Sequence, residues 1–126
     1  MSSILVIPDI QVPFMHEDAY RFLAAVKKAY KPDIVVQIGD LADQHYFSKY
    51  TPSTKSRGGK DEMEEASKQL DPLKKLFPKM YICWGNHDLR IFQKASDAGI
   101  DASLLKSYEE MLNMPKGWEI ADNWEF

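Results

Sequence analysis

The chain has 126 residues, of which 44% are hydrophobic and 28% charged. That balance suits one globular domain and excludes disordered, collagen-like and coiled-coil classes. Sixteen Lys and Arg stand against nineteen Asp and Glu, a formal charge of -3 at pH 7, so the chain as a whole is no basic nucleic-acid binder, although a local basic patch can still exist. The single cysteine, Cys83, rules out an intrachain disulfide and a cysteine-based zinc site. Only four apolar residues, Ile4–Ile7, precede Pro8, with no basic stretch before them, so the start does not read as a signal peptide. No apolar run reaches membrane-spanning length. The expectation is a soluble protein of a reducing, cytoplasmic compartment with no membrane partner.

Three short apolar runs, at Ile4–Ile7, 34–38 and 80–84, predict strands, and their near-continuous hydrophobicity predicts burial on both faces of a parallel sheet. Between them, residues 17–30 carry Tyr20, Leu23 and Ala24 at helical spacing, and residues 61–77 carry Met63, Ala66, Leu70, Leu73 and Phe77 on the same period. Pro32 and Pro78 sit where helices must stop. The order β-α-β-α-β predicts an α/β fold, a parallel sheet with flanking helices joined by right-handed crossovers.

Residues 49–60, KYTPSTKSRGGK, hold four basic residues and two adjacent glycines. They read as a solvated loop, or as a flap whose Lys55 and Arg57 meet an anionic substrate. Further helix is expected over 89–95 and 103–112, and strand-like residues over 118–126. Asp88 is expected to cap the helix that follows it.

Each of the three strands runs into a polar cluster: Asp9-Ile10-Gln11, Gly39-Asp40-Leu41-Ala42-Asp43 and Gly85-Asn86-His87-Asp88. In an open α/β sheet ligands bind beyond the carboxyl ends of the strands, so these segments are expected to meet on one rim. Its carboxylate and amide oxygens, one imidazole and no thiolate form a hard-to-borderline donor set for a divalent metal such as Mn²⁺, Mg²⁺, Fe or Zn²⁺. A cation also removes the repulsion among clustered carboxylates. Glycines at 39 and 85 allow sharp exits from the strands and a close approach of backbone to a metal or phosphate. Trp84 and Cys83 read as packing residues, and His45 as a candidate substrate contact near the rim.

This pattern resembles the calcineurin-like metallophosphoesterase superfamily, with its motifs D-x-H, G-D-x-x-D and G-N-H-[D/E] at strand ends. The second and third match fully, and the "PDIQVPF" segment is similar to phage-encoded members, which would place the protein in a host cytoplasm. The resemblance covers most of the chain but only about the first half of a usual family domain. It implies two divalent metal ions, with Mn favoured and Fe, Zn, Mg or Ni as alternatives. Asp9 and Gln11 would serve the first, Asp40 would bridge, and Asn86 would serve the second. It also implies that His87 faces the phosphate and protonates the leaving oxygen, that Asp43 orients His87, and that a metal-bound hydroxide attacks phosphorus.

Two departures stand out. Gln11 replaces the usual histidine of the first motif. The only histidines are His16, His45 and His87, so the family's later His motifs have no counterpart. The expected reading is a single, incomplete family domain over 1–126: a truncated product, a split enzyme whose other half is a second chain, or a chain whose self-association covers the unfinished sheet. No Arg-Gly follows the second motif's final aspartate, which disfavours a protein phosphatase. The basic loop favours a polyanionic substrate such as nucleic acid. The expected function is a metal-dependent phosphoester hydrolase of phosphodiesterase or nuclease type. The alternative is a non-catalytic binding or scaffold module.

Overall fold

Four strands, β1 (Ile4–Ile7), β2 (Ile34–Gln37), β3 (Lys79–Cys83) and β4 (Gly117–Ala121), lie side by side in the order β1-β2-β3-β4, with every neighbouring pair parallel. The structure, a computed structural model, describes residues 2–48 and 58–126. Lys55 and Arg57 lie outside the described residues. Five helices join the strands: α1 (Ala19–Tyr30), α2 (Gly59–Gln69), α3 (Asp71–Leu76), α4 (Arg90–Asp97) and α5 (Tyr108–Met111). The α/β class, the three strands and the crossovers agree with the expectation from sequence.

The helices pack against one face of the sheet. Leu5 and Ile7 of β1, Val35 of β2, Met80 and Ile82 of β3 and Trp118 and Ile120 of β4 meet Leu23, Met63, Ala66, Leu70, Leu73 and Leu112 in a single core. A strand sends alternate side chains to opposite faces. Because the strand order follows chain order, right-handed crossovers bring every connecting helix to the same side. The expectation of strands buried on both faces is therefore corrected: Ile4 and Val6 are 49% and 53% exposed. Toward the β4 side the chain's end returns over this second face. Trp124 and Phe126 set their rings edge-on to Tyr81, with centroids 4.8 and 5.0 Å away, and Trp124 Nε1 donates to the Ile82 carbonyl at 2.9 Å. The strand-like stretch at 118–126 thus pairs only as far as Ala121.

Two expected helices are also divided. The helical period over 61–77 spans α2 and α3, which break at Leu70. Pro72 has no N–H and its ring clashes with the carbonyl four residues earlier, so a helix cannot run through it, but it fits the first turn of a new one. Leu70 keeps its side chain fully buried at the joint. The expected helix at 103–112 is a 3-10 turn, Ala102–Leu104, followed by the short α5, which begins where the Ser107 hydroxyl accepts from the Glu110 amide. Lys27 ties α1 to α3: its Nζ donates to the Leu76 carbonyl at 2.6 Å and lies 5.7 Å from the centre of the Phe77 ring.

Glu62, in the first turn of α2, is buried. Its Oε1 accepts from the Tyr46 amide at 3.1 Å, while Oε2 has no hydrogen-bond partner among the described residues. Burial raises its pKa, and the amide hydrogen bonds only partly oppose that. The folded state therefore holds the proton more tightly than the unfolded state. Stability falls as pH climbs from the ordinary glutamate value of about 4.3 through the raised one, and the deficit persists above it. The stability of Glu62→Gln relative to the native chain, measured by urea denaturation, should rise with pH across that window. A difference that does not change with pH would contradict a buried, ionising Glu62.

Candidate functional site

The three polar loops meet at the carboxyl ends of β1, β2 and β3. Loop 8–12 is zipped to loop 39–43 by backbone. The Asp40 carbonyl accepts from the Ile10 and Gln11 amides at 3.2 and 2.9 Å, Val12 N donates to the Leu41 carbonyl at 3.0 Å, and Asp43 N donates to the Val12 carbonyl at 2.9 Å. Gln37, the last residue of β2, is fully buried. Its Nε2 donates to the carbonyls of Pro8 (3.2 Å) and Gly39 (2.6 Å), and its Oε1 accepts from Gly39 N (2.9 Å).

Loop 39–43 meets loop 85–88 through Asp88. Its carboxylate is fully buried and accepts from the amides of Asp40 (2.7 Å), Leu41 (3.0 Å), Ala42 (3.4 Å) and Gly85 (2.9 Å), and from the Tyr108 hydroxyl (2.5 Å). The expected capping role is corrected, because α4 begins after Leu89 with no side-chain cap. An aspartate that gathers four amides from two loops has no valence left for a helix end. Burial raises its pKa, and the Tyr108 and amide hydrogen bonds pull it partly back. The Tyr108 hydroxyl is pushed well up by burial and by the neighbouring carboxylate.

The sharp exit expected at Gly39 is present, while the close approach expected toward a metal or phosphate is made between the two loops. Gly39 has φ +107°, and a Cβ there would stand 2.7 Å from Gly85 N; a Cβ on Gly85 would land on the Asp40 amide and carboxylate. Their small size serves the contact of one loop with the other.

That contact sets the side chains of Asp40, Asn86 and His87. Asp40 adopts φ +55°, a region rare for non-glycine residues, and its Oδ1 accepts from the His87 amide at 2.9 Å. The Asn86 side-chain amide lies 3.3 and 3.2 Å from Asp40 Oδ1 and Oδ2, and with its nitrogen turned toward them it donates to both. A carboxylate beside an amide that can turn its oxygen inward is a hard donor pair that fits a divalent ion. Among the described residues no group of three or more His, Cys, Asp or Glu could hold a metal. The candidate donors are two carboxylates and two amides, so such a group is not what this sequence builds. Gln11 adopts φ +55° and is half-buried on the adjoining loop, and Asp9 is exposed beside it.

Next to this pair lies a chain of polar contacts. His87 Nδ1 is 3.1 Å from Asp43 Oδ1, and both side chains are largely buried, at 19% and 14% exposed. Arg90 Nη2 is 3.2 Å from His87 Nε2, while its Nη1 donates to the Asp43 carbonyl at 2.8 Å and lies 3.7 Å from Asp43 Oδ2. A guanidinium cannot accept, so Nε2 must be the accepting nitrogen and the ring proton sits on Nδ1, facing Asp43. His45 is more than half exposed, its Nδ1 4.0 Å from Asp43 Oδ2 and its ring edge-on to Phe14.

Arg90 and Gln44 escaped the reading of the sequence. Gln44 is fully buried. Its Nε2 donates to the Asp88 carbonyl at 2.7 Å and its Oε1 accepts from Ile91 N at 2.8 Å, so it fastens α4 to loop 39–43. For Arg90 a signal existed: three residues after His87, on the next turn of chain, it can reach back to that ring. Trp84 packs on the Tyr108 ring at 5.4 Å and on Phe92 at 6.1 Å, as expected of a packing residue. Cys83 is half-buried. Lys60, at the end of the basic stretch, sits in α2 with its Nζ 3.9 Å from Glu64.

The close approach of the loops gives a direct test. Gly85→Ala should cost about 1–3 kcal/mol of stability, from overpacking against Asp40, and Tyr108→Phe about 1–3 kcal/mol, from the lost hydrogen bond to a buried carboxylate. Urea denaturation measures both. An unchanged midpoint in both variants would contradict the Asp88-centred junction.

No match was found among curated proteins or among solved structures. No helix among the described residues is long and apolar enough to cross a membrane. A family model described as calcineurin-like phosphoesterase matches residues 2–125, nearly the whole length over which the three loops converge. The chain belongs to the calcineurin-like phosphoesterase family.

Proposed function

We propose that the chain carries the phosphate-facing rim of a metal-dependent phosphodiesterase or nuclease. The observation that carries this reading is the Asp43–His87–Arg90 chain of contacts set beside the Asp40 carboxylate and the Asn86 amide. Asp40 and Asn86 would hold one divalent cation, and Asp9 and Gln11, on the loop zipped to Asp40, would serve a second that Asp40 shares. Neutral amide and carboxylate oxygens favour Mn²⁺ or Mg²⁺ over the later transition metals. Bound there, a divalent cation supplies Lewis acidity at the phosphoryl oxygens and a nucleophile drawn from water near neutral pH.

The protein's own groups do the rest. Asp43 fixes the His87 ring through Nδ1 and stabilises the imidazolium once the ring takes a second proton. For His87 to hand a proton from Nε2 to a leaving oxygen, Arg90 must swing off that nitrogen. An incoming phosphate supplies the anion toward which a guanidinium turns. Arg90 is thus a positioning residue that fills Nε2 until substrate arrives.

A second reading, a non-catalytic binding module that acts with another chain or a second copy of itself, is supported by Gln11 in the place of a histidine ligand. Hydrolysis of bis-p-nitrophenyl phosphate with Mn²⁺ separates the two. Asp40→Asn and His87→Ala should each lower turnover by about 100-fold or more while circular dichroism stays unchanged. Undiminished turnover in either variant would overturn the catalytic assignment. No turnover by the folded chain with any divalent metal would favour the binding module.

A further inference from the structure

A cavity of about 550 Å³ opens at Asn86 and runs along α4. Its apolar lining comes from Phe47 and from Leu89, the residue just before α4. Its polar lining includes Arg90, Gln93 and Lys94 of α4. Arg90 is held at the near end by the Asp43 carbonyl and His87 Nε2, which engage only two of its five N–H groups. Lys94 lies four residues on, about 6 Å further along the helix axis. Its side chain is exposed, with no side-chain hydrogen bond or ion pair among the described residues. At the far end Asp97 accepts from Gln93 Nε2 at 2.9 Å. The charges thus run from cationic beside the reactive rim to anionic at the far end. This leaves room for one further anionic group beyond the reacting phosphate and discourages a longer run of them.

We infer that this groove is a subsite for a nucleoside carrying a second phosphate: the second phosphate sits on Lys94, and the sugar and base lie against Phe47 and Leu89. The inference deepens the phosphodiesterase reading and rests on it for the place of the first phosphate. Cationic and aromatic side chains lining one groove are the combination that single-stranded nucleic acid uses, with charge on the phosphate and a ring against the base. The Lys94 ammonium supplies a point charge, and the adjoining Arg90 a fork for the phosphate nearer the rim.

The test reads binding alone, in EDTA, so that neither metal nor turnover enters. Thymidine 3′,5′-bisphosphate, thymidine 5′-monophosphate and thymidine 3′-monophosphate are titrated into the full chain by calorimetry, with amide shifts followed by NMR. The bisphosphate should bind about tenfold more tightly than either monophosphate, from one additional charge-assisted contact. Lys94→Ala should remove most of that advantage and leave the monophosphates unchanged; Lys94→Arg should restore it. Alanine suits an exposed helix position, so the fold is retained. The Phe47 and Gln93 amides should shift with the bisphosphate. Equal affinities for the three ligands, or a Lys94→Ala variant that weakens all three alike, would overturn the subsite. If the groove discriminates as expected while the chain hydrolyses nothing, the catalytic reading fails and the subsite stands.

Discussion

The buried carboxylate of Asp88 is the constraint on which the rest of this molecule depends. Four amides from two loops, together with the Tyr108 hydroxyl, converge on its two oxygens. Burying a carboxylate is costly unless hydrogen bonds replace its water. Here they do so using amides that the ends of β2 and β3 would otherwise leave unpaired. The same contacts hold Asp40 in a left-handed backbone conformation and press Gly39 against Gly85. Asp40 is thereby turned toward Asn86, and the His87 amide toward Asp40. The geometry of the rim follows from a residue whose side chain is fully buried.

From there the organisation spreads outward in two directions. Toward the core, Tyr108 carries the junction into α5, and Gln37 and Gln44 fasten the loops to β1 and α4. Toward solvent, Asp43, His87 and Arg90 form a line of contacts that leaves the ring nitrogen of His87 available only when Arg90 moves. The buried part of the network fixes positions, and the more exposed part is free to change partners. Catalytic groups held by fixed neighbours need little reorganisation when charge develops.

Much of this was legible in the sequence. The strand at Ile4–Ile7 and the two that follow it stand where apolar runs meet polar clusters, and the clusters converge because parallel strands all end on one side. The link between Asp43 and His87 was legible only through family resemblance. What could not be read has physical causes. Apolar β-branched runs look alike whether a strand is covered on one face or two, so the exposure of Ile4 and Val6 was hidden. Asp88 stands where a helix cap would stand, and three of its partners are amides 46 to 48 residues away in sequence, which spacing cannot show. The break at Leu70 was written in Asp71-Pro72 but outweighed by an unbroken apolar period. Arg90 stands three residues after His87, within reach of its ring, but spacing alone does not tell that contact from a solvated arginine on a helix.

The central claim is that the rim around Asp40 and Asn86 gathers a divalent cation. Paramagnetic broadening of amide resonances by substoichiometric Mn²⁺ tests it most directly. The account predicts that the resonances of Asp40, Asn86 and His87 broaden first, with those of Asp9 and Gln11 close behind, and that Asp40→Asn abolishes this selectivity. Broadening confined to exposed acidic residues elsewhere, such as Asp97 or Glu109, would contradict it.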